Sequence, residues 1–215
     1  MTVIPFSQAL RERTWASHGD SEGADFMKDL MTGKGTRDDY IALVAQHYFI
    51  YEAIEAAAEH FAHDSDAAPF ITSQLTRLPA LEADLEFLIG ADWREHITPV
   101  PTAAAYAARV REIAAKDWAG GFIAHHYTRY LGDLSGGQVI RTIMQREFGF
   151  ETNGVGFYLF DQIAQPKEFK NTYREQLDAV QWDDAERDRV INEVLAAYKF
   201  NTDLFVDLSR AKAAA

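Results

Sequence analysis

The sequence predicts an all-α protein built as a single-domain helical bundle, and three observations predict it. Apolar residues recur at three- and four-residue intervals along most of the chain, which is the period of one helix face. No convincing strand pairs appear. No linker, repeat or low-complexity stretch divides the 215 residues, so 1–215 reads as one domain with short flexible ends.

The elements follow in order. Phe6, Leu10 and Thr14 fall in register on a first helix running from Phe6 to Ser17. A second spans Ala24 to Met31 and ends at the Gly33 and Gly35 breakers. Thr36 and Asp39 form a capping pair, Asp standing for the usual Glu. They open a long helix to about His63, striped by Tyr40, Leu43, Val44, His47, Tyr51, Ile54, Ala58 and Phe61. Pro79 to Ile89 is helical, Gly90 to Pro101 a loop, and Thr102 to Lys116 an amphipathic helix. Phe122 to Phe148 is a long helix that Gly149 stops. Residues 154–163 are aromatic and irregular, Lys167 to Leu177 is helical, and Asp183 caps a last helix reaching about Leu208.

Composition excludes several functions. The formal net charge of −12 makes a poor partner for nucleic acid or an anionic membrane. No cysteine is present, which removes disulfides, zinc fingers, iron–sulfur clusters and thiolate-ligated haem. The N-terminus lacks a signal-peptide plan, and no apolar run approaches the roughly 18–20 residues of a membrane span. The expectation is a soluble cytoplasmic protein. A carboxylate-bridged di-iron bundle needs Glu-x-x-His on two helices, and no Glu here has His three residues on.

One stretch departs from ordinary helix composition. YTRYLGDLSGGQVI, residues 127–140, carries Gly132, Gly136 and Gly137 inside a helical segment. Each costs about 0.5–1 kcal/mol relative to Ala. Glycines at i, i+4 and i+5 share neighbouring parts of one face, so the backbone can lie flat against something. Tight helix–helix packing is the commoner use; a broad planar ligand is the other. Asp133 sits beside this bared backbone.

The seven histidines sort by surroundings. His60, His63 and His96 read as solvated, and His47 as a hydrogen-bonded core histidine. Of His125 and His126, one is expected to face the core and the other a flank. His18 ends the first helical segment next to Gly19, where a neutral imidazole suits an axial iron ligand or an interaction with the helix C-terminus. Lys170 and Arg174, at i and i+4, point one way, and Arg11 lies two turns before His18. Together these cations suit two carboxylates at a ligand's edge; solvated surface charge is the alternative.

His18, YTRYLGDLSGG and FKNTYREQL together closely resemble haem oxygenase of the biliverdin-forming, all-helical family, in its soluble bacterial form. The resemblance runs from about Arg11 to Phe205 and includes TRDDYIALVAQHYFIYEAIE, ALEADLEFLIG and NTDLF. It implies haem b held between the first helix and a kinked, glycine-rich distal helix. By resemblance, His18 ligates the iron and Glu22 lies near it. Gly132, Gly136 and Gly137 pass their backbone over the haem, and Asp133 organises distal water. Arg11, Lys170, Arg174 and Tyr127 match positions at the propionates. Tyr51, Arg129 and Asn201 match the distal hydrogen-bond network or its support, and Phe200 an aromatic of the pocket wall. Trp15 stands where some members carry a basic residue, and the membrane tail of some members is missing.

The implied reaction cleaves haem at a meso carbon, the α edge by family default, to biliverdin, ferrous iron and carbon monoxide. It consumes O2 and electrons from an external donor, a ferredoxin or flavoprotein reductase. The protein is expected to be a monomer. A haem carrier or sensor on the same fold would keep the pocket without the proton relay. A purely structural bundle would bind no haem.

Overall fold

The computed structural model describes residues 4–22 and 25–214, with the side chains of 18–22 outside the description. Among the described residues there are helices and turns and no strand. The helices are α1 (Phe6–Glu22), α2 (Asp25–Met31), α3 (Arg37–His60), α4 (Leu78–Leu88), α5 (Trp93–His96), α6 (Pro101–Ala115), α7 (Ala119–Gly132), α8 (Gln138–Phe148), α9 (Pro166–Ala179) and α10 (Asp184–Ala214). A single widened turn, Asp133–Gly137, joins α7 to α8 with π-type geometry. Short 3₁₀ turns occupy Ala68–Phe70, Ser73–Leu75 and Gly156–Tyr158.

Local chemistry sets the ends. Thr36 and Asp39 form the reciprocal capping box at the start of α3. Asp183 accepts from the Glu186 N–H at 2.8 Å at the start of α10. Gly149 ends α8 with φ +69°, a left-handed conformation that favours glycine. Three sequence boundaries need correction. The first helix continues to Glu22 instead of stopping at Ser17, and the last reaches Ala214 instead of Leu208. The 90–101 loop contains the four-residue helix α5, whose Trp93 is buried.

The core forms where α3 packs on α6 and α4, and α7 on α10 and α6. Helix α7 is central and buried around most of its circumference. At its start Gly120 faces α10, where a Cβ would stand 2.5 Å from Glu186 Oε1 and 2.8 Å from Val190. Both His125 and His126 are therefore buried, which corrects the core-and-flank assignment. Helix α1 lies across α10 and α9. Asp178 of α9 accepts from the Ser7 N–H (2.7 Å) and hydroxyl (2.9 Å), taking up donors of α1's free first turn. Phe6 meets Trp182 edge-on at 5.5 Å.

Asp84 of α4 pins the aromatic loop. Its carboxylate accepts from the N–H groups of Gly154 (2.8 Å), Gly156 (3.0 Å) and Phe157 (2.7 Å). Arg77 donates to the Phe157 and Leu159 carbonyls from beneath. This fixes Phe157 and Tyr158 against the widened turn.

Candidate functional site

A cleft of about 350 Å³ opens between α1 and the α7–α8 segment, within the usual size of small-molecule sites. Its sides come from α1 (Arg11, Thr14, Trp15), α3 (Leu43, His47), α9 (Arg174) and α10 (Tyr198, Asn201, Phe205). Its floor is Leu131, Gly132, Asp133, Ser135, Gly136 and Gly137 with Tyr158.

The glycines divide by what a side chain would meet. A Cβ at Gly132 or Gly136 would have no neighbour within 4 Å, so neither serves helix packing. Their backbone is bare because the cleft lies beyond it. A Cβ at Gly137 would stand 2.8 Å from the Tyr158 ring, so that glycine admits a close contact. The widened turn supplies the bend. Gln138 braces it, donating to the Asp133 carbonyl at 3.3 Å and to the Tyr158 carbonyl at 2.8 Å.

Asp133 is buried at the cleft's inner edge, where the Tyr51 hydroxyl donates to its Oδ2. The Arg129 guanidinium lies 5.1 Å over the Tyr51 ring and donates to Asn201 Oδ1 at 2.9 Å. Four predicted residues from three helices and the turn thus form one network. Burial pushes the Asp133 carboxyl up; Arg129 and the Tyr51 hydrogen bond pull the other way, and the net direction is upward. Burial opposes the Arg129 charge, but Tyr51 and Asp133 outweigh it and hold the guanidinium protonated. The result is a carboxyl that is easier to protonate than usual beside a fixed positive charge.

The mouth of the cleft is cationic. Arg11 and Arg174 both lie on it, and Tyr127 stands within the field of both, its hydroxyl raised by burial and lowered by Arg174 and Arg11. Lys170 reaches across from α9 to donate to Ser135 Oγ at 2.7 Å. Burial and then Arg174 lower the Lys170 ammonium. Trp15, 64% exposed, packs at the rim with the Arg11 guanidinium 5.8 Å from its ring.

Not every expected residue meets the cleft. Phe200 stacks on Tyr106 at 4.8 Å and lies off the lining, which Tyr198 and Phe205 supply from the same helix. His18 and Glu22 lie outside the described side chains; their helix runs on through residue 22. His47 corrects its reading as a hydrogen-bonded core histidine. It is buried, but it lines the cleft and its Nδ1 has no partner. Tyr158, Ser135 and His47 were not singled out as site residues. The available signal was His47 standing one turn before Tyr51 on the same stripe.

Fold and cleft together define an all-helical protein with a flat, glycine-floored site, a buried carboxyl inside and cations at its mouth. The chain belongs to the haem oxygenase family: the family model described as Heme oxygenase matches residues 4–207. Heme oxygenase 1 of Nostoc sp. is 38% identical over 200 residues, covering 93% of this chain and 84% of that protein. Heme oxygenase 1 of Pongo abelii is 38% identical over 205 residues, covering 94% and 71%. The crystal structure of heme oxygenase-1 from Synechocystis sp. PCC6803 in complex with heme matches with a TM-score of 0.90 at 34% identity, covering 98% of this chain and 96% of that one.

Proposed function

We propose that this protein is a haem oxygenase, binding haem in the α1/α7–α8 cleft and cleaving it at a meso carbon to biliverdin, ferrous iron and carbon monoxide. The observation that carries this reading is Gly132 and Gly136 opened onto a cleft directly beside the buried Asp133–Tyr51 pair. A flat macrocycle can approach bare backbone closely, and a carrier would have no use for a carboxyl tuned upward at that point. Bound haem supplies the redox centre that activates O2 with electrons from an external donor.

The residues present fit that group. Arg11, Arg174 and Tyr127 at the cleft mouth, with Lys170 beside them, would hold its propionates. Charge-assisted hydrogen bonds there fix how the ring is rotated, and so which meso edge is presented. Lys170 is held ready by Ser135, and exchanging that hydroxyl for a carboxylate replaces a neutral partner with a charged one. With haem bound, Asp133 would hold a proton, or the water that carries it, at the inner edge of the cleft; Tyr51, Arg129 and Asn201 would fix its orientation. His18, from α1, is the proposed iron ligand, with Glu22 beside it. A ferredoxin or flavoprotein reductase is the proposed electron donor. The chain acts as one domain and a monomer.

A single-turnover absorbance experiment tests this. Hemin is mixed with the protein and ascorbate added under air. Loss of the Soret band with growth of a red-absorbing bile pigment and release of carbon monoxide is the expected result. A stable reduced complex with no pigment, even with a reductase supplied, would make the protein a carrier. His18→Ala should lose the ligated-haem spectrum; an unchanged spectrum would move the ligand elsewhere.

A further inference from the structure

Two buried polar atoms at the inner end of the cleft have no hydrogen-bond partner in the protein: His47 Nδ1 and the Tyr158 hydroxyl. Their residues are 6% and 0% exposed, and both line the cleft. An unbroken series of rings connects them, His47 to Phe157 at 5.0 Å and Phe157 to Tyr158 at 4.8 Å. The series touches the Asp133 network at both ends. The His47 ring lies 6.4 Å from Tyr51, whose hydroxyl donates to Asp133. The Tyr158 ring lies against Gly137, where a Cβ would also stand 3.5 Å from the Asp133 Cβ.

A buried polar group left unpaired costs about 1–3 kcal/mol, and native proteins meet the demand with water that makes two to four hydrogen bonds. A neutral imidazole offers one donor and one acceptor, a phenol one of each, and a carboxyl an acceptor. We propose that His47 is a positioning residue for the reaction, holding with the Tyr158 hydroxyl a water against the Asp133 carboxyl and so fixing the path by which a proton reaches the ring above Gly132 and Gly136. The inference rests on the haem oxygenase reading of the cleft. The titratable and charged groups beside the imidazole are Arg129 and Tyr51, with Tyr158 beyond the Phe157 ring. Burial first and Arg129 second keep the imidazole neutral, so it serves as a hydrogen-bonding post and carries no charge of its own.

The test compares wild type, His47→Leu, His47→Gln, Tyr158→Phe and the His47→Leu/Tyr158→Phe double variant. Apo stability is read by urea unfolding, hemin affinity by Soret titration, the pH midpoint of the ferric complex's acid–alkaline transition by absorbance, and biliverdin yield by single turnover. His47→Leu should leave apo stability about unchanged, because the imidazole Nδ1 makes no hydrogen bond to another protein group. Hemin affinity should hold, the midpoint should move, and pigment yield should fall about tenfold, the scale of losing a supporting hydrogen bond behind a reacting group. Tyr158→Phe should shift the midpoint the same way, the double variant should add little, and Gln at 47 should restore most of the yield. An unmoved midpoint with full yield in His47→Leu overturns the proposal, as does a destabilised apo protein with normal yield per folded molecule. Failure of wild type to bind hemin overturns the underlying function and this inference with it, and the Soret titration alone reveals that case.

Discussion

Two buried carboxylates in this molecule have opposite fates. Glu193 of α10 is fully used: Arg109 donates to both its oxygens (2.9 and 2.7 Å), and His125 meets Oε1 at 2.9 Å. Burial would raise this carboxyl, yet Arg109 and His125 hold it at about 2. Asp133, among the described residues, accepts on its side chain from Tyr51 alone, and burial leaves it raised. The satisfied carboxylate locks α6, α7 and α10 together. The under-satisfied one stands in the cleft with its titration moved toward neutral pH, where proton chemistry works.

The sharpest way to break this comparison is to remove each carboxylate in turn. Asp133→Ala should keep hemin affinity and lose about 100-fold or more in biliverdin formation, read by single turnover. Glu193→Ala should do the reverse. Breaking the Arg109–His125 cluster should cost about 3 kcal/mol in urea unfolding, with pigment yield per folded molecule unchanged. If both variants lose chemistry equally, the division between structural and reactive carboxylates fails.

The glycines give a smaller contrast of the same kind. Gly132→Leu fills the cleft, so hemin affinity should drop at least about tenfold in a Soret titration while apo stability holds or gains about 0.5–1 kcal/mol. Gly137→Ala meets the Tyr158 ring and should lose about 1–3 kcal/mol in apo stability. A further contrast is in pH. Burial lowers His126 to about 3, below its unfolded value of 6.5, so the unfolded chain binds more protons in between. Stability contributed by its neutral form is complete above pH 6.5 and falls by about 1.4 kcal/mol per pH unit as pH drops toward 3. Glu193, lowered from 4.5 to about 2, adds a second loss that begins near pH 4.5. Urea unfolding from pH 7 to 4 should show the first slope, to which buried His47 and His125 also contribute, and His126→Phe should reduce it.

Local chemistry made much of this legible. The Thr36–Asp39 capping box, the Asp183 cap and the Gly149 stop each depend on residues within a few positions, and sequence displays those directly. Tyr51, Arg129, Asp133 and Asn201 were nameable through family resemblance, and the fold brings them together. What sequence hid was non-local. Gly19 resembles a helix stop, yet α1 continues past it to Glu22. One of His125 and His126 was expected on a flank because neighbours on a helix point about 100° apart, but α7 is enclosed on nearly every side. The Glu193 cluster joins residues 84 and 68 positions apart, and no pattern in the chain announces it. His47 reads as core in either case; only the cleft beside it reveals the difference.

The widened turn at 133–137 is in effect one surplus residue in an otherwise continuous rod. Deleting Ser135 would let the rod close into uninterrupted α-helix, a more regular structure than the native one. Because the widened turn absorbs its extra residue locally, the repair would leave Ile143 and Met144 facing the core much as before, and it would straighten the bend that lays the bared glycine backbone along the cleft. The site is thus written as a length as well as a set of side chains, and a single-codon deletion that alters no other residue would erase it.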